Sequence, residues 1–284
     1  MIKQFVLGAL TLLCFTSCTV LQWRSSDEEI ATAFAKAKIP TNISYIAIDS
    51  LDLNVRVQSI PLEDATINLL FLHGSPSSLS AWNGYLKDST LHAQAEMHAV
   101  DRPGYGYSNF GDELVSIDRQ GKVISHIINE QGLKNVITIG SSYGGPLAAR
   151  VAIENENVKG VIMISPAIDP ENEKRIWQSS FTQFWLTRWL VPTGYRVAGD
   201  EKTTHAQELA SIEKDWDKVS VPVMHIHGDK DDLVPYINVD YSRKVFSDIE
   251  IITTPDTGHE IAWAKPYLIK PYIFEMIEKI NGSN

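Results

Sequence analysis

The chain has 284 residues and a formal net charge of -10, and so acidic a balance repels phosphate backbones and argues against a nucleic-acid partner. With 44% hydrophobic and 21% charged residues it has the composition of a globular fold with a real core, which excludes an intrinsically disordered chain. The length suits one large α/β domain or two small ones and does not choose between them.

Residues 1–4 carry one positive charge, Lys3, and residues 5–15 form an almost unbroken apolar run. That run has the length of a signal-peptide core and is too short to span a bilayer as a helix. It ends at Phe15-Thr16-Ser17-Cys18. Small residues just before a cysteine resemble a bacterial lipobox, in which Cys18 is lipidated and becomes the mature N-terminus, although Phe15 stands where an aliphatic residue is usual. An ordinary cleaved signal and an uncleaved anchor are the competing readings. The expectation is a signal over 1–18 and an exported protein held to the bacterial envelope membrane, on the periplasmic or outer-membrane face. Cys14 and Cys18 are the only cysteines, so the remainder has no thiol for a disulfide, a zinc site or a nucleophile.

Residues 19–26 read as a polar tether. Ser26-Asp27-Glu28-Glu29 has the form of a capping box, and Ile30, Ala33, Phe34 and Ala37 follow at helical spacing until Pro40. A tether and one surface helix are therefore expected over 19–42. From Tyr45 onward, 45–48 and 51–57 suggest a strand pair turning near Asp49-Ser50. Residues 67–72 are nearly all apolar, as in a strand covered on both faces, and 95–100, 136–139, 158–164, 223–226 and 249–252 repeat that type. Helical patterns at about 79–88, 117–131, 143–155 and 236–246 lie between them. Such alternation predicts a mostly parallel sheet with helices on both faces, over 43–165 and 221–284. Between about 166 and 220 no buried strand is evident. Trp177, Phe181, Phe184, Trp185 and Trp189 there predict one apolar helical face, with Pro192-Thr193-Gly194 as a break, in a helical cap.

Gly140-Ser141-Ser142-Tyr143-Gly144 fits Gly-x-Ser-x-Gly between an apolar strand and a helix. That is the setting in which a sharp turn presents a serine as nucleophile, whereas a lone five-residue match is weak. The glycine frame selects Ser142, since Ser141 would need glycine where Ile139 stands. A serine hydroxyl needs a base to take its proton. His259, after Gly258, is the one histidine in a loop beyond the last strand. His92, His98, His126 and His205 read as surface or packing residues, and His225 and His227 share one strand face with no third metal ligand at a suitable spacing. Asp229, Asp231 and Asp232 compete as the acid that would orient the base.

Four segments together resemble the α/β-hydrolase superfamily, capped branch, from about Tyr45 onward. They are His73-Gly74-Ser75-Pro76, the stretch from Asp101 to Ser108, the turn at 140–144, and Gly228-x-x-Asp231 with Gly258-His259. The resemblance implies a triad of Ser142, Asp231 and His259, with Asp169 as the alternative acid. It also implies an oxyanion hole from the amides of Ser75 and Tyr143. His73, Gly74, Trp177, Phe181 and Trp185 become candidate pocket residues, the stretch from Asp101 to Ser108 reads as scaffold, and Tyr105 or Tyr107 could reach the pocket. No metal or cofactor is implied. The expected reaction is hydrolysis of an apolar ester or acyl substrate. C–C bond hydrolysis on the same triad is the runner-up, and a membrane-tethered binding protein without turnover is the reading from another class. Ser142 argues against the related dehalogenases and epoxide hydrolases, which use aspartate as nucleophile. Oligomeric state is not legible.

Overall fold

The computed structural model describes residues 22–174 and 179–282. Its centre is one eight-stranded sheet in the order β1-β2-β4-β3-β5-β6-β7-β8. The strands are β1 (Asn42–Ile48), β2 (Leu53–Ile60), β3 (Asn68–Leu72), β4 (Glu96–Val100), β5 (Val136–Ser141), β6 (Val158–Ile164), β7 (Val223–Gly228) and β8 (Ile249–Thr254). β2 runs antiparallel to both its neighbours, and every other pairing is parallel. This is the α/β-hydrolase fold. β2 starts later than its apolar pattern suggests, because Asp49–Leu51 turns as a 3-10 helix and Asp52 closes it with φ at +52°.

The unbroken apolar runs have a plain cause. In β3, Leu70 and Leu72 pack into the core on one side of the sheet, while Leu69 and Phe71 pack into the core on the other. A strand with two dry faces has no use for polar alternation. The first face is covered by the helices Ile117–Glu130 and Gly144–Glu154, the second by Pro266–Asn281 and the N-terminal helix Asp27–Ala37. That N-terminal helix begins with a complete capping box. Glu29 N–H donates to Ser26 Oγ at 3.2 Å, and Ser26 N–H donates to Glu29 Oε2 at 2.7 Å. It buries Ile30 and Phe34, whereas Ala33 and Ala37 face solvent.

The expected helix near 79–88 is instead a 3-10 turn, Leu79–Trp82, with two single turns, Asn83–Leu86 and Ser89–His92. Asp88 restarts the chain by accepting from the amides of Thr90 and Leu91. The insertion between β6 and β7 is helical, as expected, but differs in detail. Phe184 is extended, with φ -86° and ψ 121°, and splits the aromatic stretch into Ser179–Gln183 and Trp185–Arg188. Among the described residues the aromatic side chains therefore do not share one helical face. Pro192, read as part of a break, instead caps the longest helix of the cap, Thr193–Ile212. Pro at a helix start costs nothing, because the first amides have no intrahelical acceptor.

Candidate active site

The C-terminal ends of β3, β5, β7 and β8 converge under the cap. Past β5, Ser142 sits at φ +54°, a left-handed conformation that costs energy for a residue with a Cβ. Its neighbours explain why the turn holds. A Cβ on Gly140 would lie 1.8 Å from Gly144 O, and one on Gly144 would lie 2.2 Å from Leu72 O. Ser142 N–H donates to Ile164 O at 3.0 Å, tying the bend to β6.

Past β7 and β8, Asp231 and His259 meet: His259 Nδ1 is 2.8 Å from Asp231 Oδ2. The other carboxylate oxygen accepts from the amides of Leu233 and Val234 at 2.9 and 2.8 Å. Burial pushes the Asp231 carboxyl up, but the hydrogen bond and charge of His259, with the Val234 amide, outweigh it and hold the pKa below the usual carboxylate value. An ionised acceptor fixes the imidazole with its proton on Nδ1 and leaves Nε2 a lone pair. Asp169 does not reach His259. Its oxygens accept from Glu171 N–H and from the amide and side chain of Asn172. Asp229 accepts from the amide of Asp256, and Asp232 is exposed. Among the described residues no hydrogen bond joins Ser142 Oγ to His259, yet both line one cavity of about 590 Å³. Such contacts are often loose without substrate.

The β3 loop is pressed against the serine turn, since a Cβ on Gly74 would lie 3.1 Å from Ser142 Cβ. His73 lines that cavity with both nitrogens in use. Nδ1 donates to Gly74 O at 2.7 Å, and Nε2 accepts from Arg102 N–H at 3.0 Å. Burial, with the Arg102 charge, keeps its pKa well below the ordinary value, so it is a neutral strut. Neither the Ser75 nor the Tyr143 amide has a protein acceptor among the described residues, and both residues line a second cavity of about 560 Å³. Ser75, Pro76, Ser142, Tyr195 and Leu233 are common to the two cavities.

Phe181 lines the second cavity. Trp185 does not: it borders neither cavity and is 74% exposed, because the break at Phe184 turns it outward. Trp177 and Cys18 lie outside the described residues. Tyr105 and Tyr107 also miss the cavities. The Tyr105 hydroxyl donates to Glu201 at 2.7 Å, and the Tyr107 ring lies under Arg24 and Arg56.

Sequence reasoning missed Glu201, His205 and Tyr195, all from the cap helix Thr193–Ile212 and all lining the second cavity. Glu201 is the buried partner of Arg102, at 2.6 Å, and also accepts from the Ser75 hydroxyl. Arg102 in turn donates to His73 O, Gly74 O and Ser75 Oγ. The cap is thus wired to the loop that carries the Ser75 amide. An acidic residue at a buried position of a predicted helix would have been the signal, had the helix been recognised.

His225 and His227 form a buried chain beneath the acid. Val234 O accepts from His227 Nε2 at 3.1 Å, so His227 Nδ1 must accept from His225 Nε2, at 2.9 Å. His225 Nδ1 then accepts from the Ser242 hydroxyl at 2.9 Å. With all four ring nitrogens engaged, the pair has no lone pair for a metal.

The alpha/beta hydrolase family model matches residues 69–266. Among curated proteins the chain is 31% identical over 105 residues to a multifunctional-autoprocessing repeats-in-toxin protein of Vibrio cholerae serotype O1, covering 34% of this chain and 2% of that one. The chain therefore spans only a small part of that toxin. It is 23% identical over 232 residues to a pimeloyl-acyl-carrier-protein methyl ester esterase of Nitrosomonas europaea, covering 68% of this chain and 88% of the relative. Among solved structures it is similar to a membrane phospholipase A described as a bacterial virulence factor, with a TM-score of 0.68 and 17% identity over 98% of this chain and 99% of that one. At that identity the likeness concerns the fold alone. With the family model covering most of its length, and the serine turn and β3 loop arranged as described, the chain belongs to the alpha/beta hydrolase family.

Proposed function

We propose that the protein is a serine hydrolase that cleaves a carboxylic ester-like bond through an acyl-enzyme intermediate. The observation that carries this reading is the Asp231–His259 hydrogen bond of 2.8 Å beside a cavity that also holds the strained Ser142. Ser142 attacks the carbonyl carbon while His259 Nε2 takes its proton, and the Asp231 carboxylate stabilises the imidazolium that forms. The unpartnered amides of Ser75 and Tyr143 receive the oxyanion, a contribution of several kcal/mol in a water-excluded site. His259 borders only the first cavity, so the group it protonates on leaving departs there, and the acyl part occupies the second, among Phe181, Val191, Ala198 and Val234. Water then enters from the His259 side and releases the acid. The names of the curated relatives, an ester esterase among them, support the same bond class.

We further propose that residues 1–18 direct export and that lipid on Cys18 holds the protein to the bacterial envelope membrane. A fluorophosphonate probe tests the enzymatic reading. Wild-type protein is labelled at Ser142 and hydrolyses p-nitrophenyl esters, and Ser142→Ala loses both. A folded wild-type protein that resists the probe would sink the serine mechanism.

A further inference from the structure

The outer side of the cap is strongly apolar. Between Ser179 and Val191 only Arg188 is charged. Its guanidinium meets the Asp200 carboxylate at 2.8 and 2.7 Å, so the segment presents no net charge on a chain of net charge -10. Phe184, Trp185, Leu186, Trp189 and Leu190 are 51, 74, 49, 71 and 63% exposed. Five large apolar side chains within seven residues make a patch that a lone soluble domain has reason to avoid. The flanking residues Thr182 and Val191 line the Ser142 cavity, so the patch is the outer skin of the same short segment.

A second observation says what covers it. The described chain begins against the cap: Gln22 O lies 3.5 Å, and the Trp23 ring 3.9 Å, from where a Cβ on Gly194 would stand. Trp23 itself lines the cavity shared by Ser142 and His259. The sequence before it holds the apolar run 5–15 and Cys18, and four residues from Cys18 to Gln22 reach at most about 14 Å. Any membrane attachment through that segment therefore delivers the cap, and not the far side of the sheet, to the bilayer.

We propose that the cap patch from Phe184 to Leu190 is a lipid-docking surface, which seats the mouth of the Ser142 cavities on the bilayer so that an acyl ester enters from the lipid phase. Tryptophan and leucine suit the interfacial zone, where an apolar ring body and a polar N–H are both accommodated. Because the patch is uncharged and the protein acidic, docking is apolar in origin. It is favoured on zwitterionic lipid, persists in high salt, and is opposed by anionic lipid. The orientation rests on the membrane-attachment reading and the entry of an ester on the hydrolase reading; the patch itself needs neither.

The full chain in dioleoylphosphatidylcholine vesicles, with and without bromine on the acyl chains as a tryptophan quencher, provides the test. Trp189→Glu with Leu190→Glu removes the patch at two exposed positions and leaves Trp185 as reporter. The expected result is quenching of wild-type fluorescence that persists in high salt, and a quenched fraction that falls by about half or more in the double variant. The variant should keep its melting temperature and its rate on a soluble short ester, while hydrolysis of a vesicle-borne ester slows several-fold. Equal quenching in the two proteins, or none in wild type, overturns the proposal. So does self-association of wild type that the double substitution abolishes without any quenching, since the patch would then pair two copies. The quenching arm needs no turnover, so absent esterase activity with intact quenching would reject the hydrolase reading and leave the docking surface standing.

Discussion

At the scale of single residues, the decisive contrast lies between two aspartates. Asp231 gives one oxygen to two backbone amides and the other to His259, while Asp169 spends both on its own loop. Asp231→Asn keeps the shape but removes the charge and favours the wrong imidazole tautomer, so kcat should fall by about 10⁴. Asp169→Asn should cost roughly 1 kcal/mol of stability through its turn and leave kcat near wild type. Steady-state kinetics on one soluble ester compares the two, and a larger kcat loss at Asp169 would reverse the assignment. The acid was legible only through its Gly-x-x-Asp frame. Three aspartates within four residues have the same chemistry in sequence, and what separates them is which carboxylate the backbone aims at the imidazole.

At the scale of elements, the serine turn and the cap show how far local pattern carries. The turn was legible because its glycines answer a hard steric limit: strand and helix approach so closely that a Cβ at Gly140 would sit inside Gly144 O. The cap was legible as a helical insertion, but the bounds of its helices were not, because Phe184 breaks the aromatic stretch and Pro192 starts a helix where the sequence suggested a break. Contact between the cap helices depends on Gly199, where a Cβ would fall 2.1 Å from Thr182 Oγ1 on the facing helix Ser179–Gln183. Gly199→Ala gains helix propensity of up to about 1 kcal/mol and loses more by forcing those helices apart. The expected outcome is a net loss of stability and a raised KM for apolar esters, with little change for a small acetate ester. An unchanged KM for both would show that the cap contact does not shape the cavity. Arg102 and Glu201, the latter near the middle of the same helix, form a fully buried pair, so removing either charge alone would strand the other, at a cost of about 3–5 kcal/mol.

Over the whole molecule, burial of histidine sets the response to acid. Burial lowers the pKa of His73, His98, His205, His225 and His227, in His98 to about 4, from an ordinary 6.5. Above about pH 6.5 neither folded nor unfolded chain binds protons at these sites. As pH falls below that value the unfolded chain takes up protons that the folded one refuses, so stability drops by up to about 1.4 kcal/mol per pH unit for each group until its folded pKa is reached. Asp231 acts later. Its lowered pKa adds stability that is complete above the unfolded value of 3.8 and lost only as pH falls through the still lower folded value. Acid destabilisation should therefore set in within the imidazole range. Urea midpoints at about pH 7.5 and about pH 5.5 check this, and equal midpoints would mean that the buried histidines titrate normally.

The sequence by itself determined the sheet, its two covered faces and the glycine-framed turn at Ser142. Each is written locally, as apolar runs long enough for a strand and glycines where atoms would otherwise collide. Only the tertiary structure decided which acid meets His259, that His225 and His227 bond to each other, and that Glu201 braces the Ser75 loop from the cap. The first and last of these join residues from different elements, and the histidine pair, though within one strand, takes its direction from Val234 O and the Ser242 hydroxyl outside it. The free energy of a buried charge or imidazole depends on partners that no local stretch of chain contains.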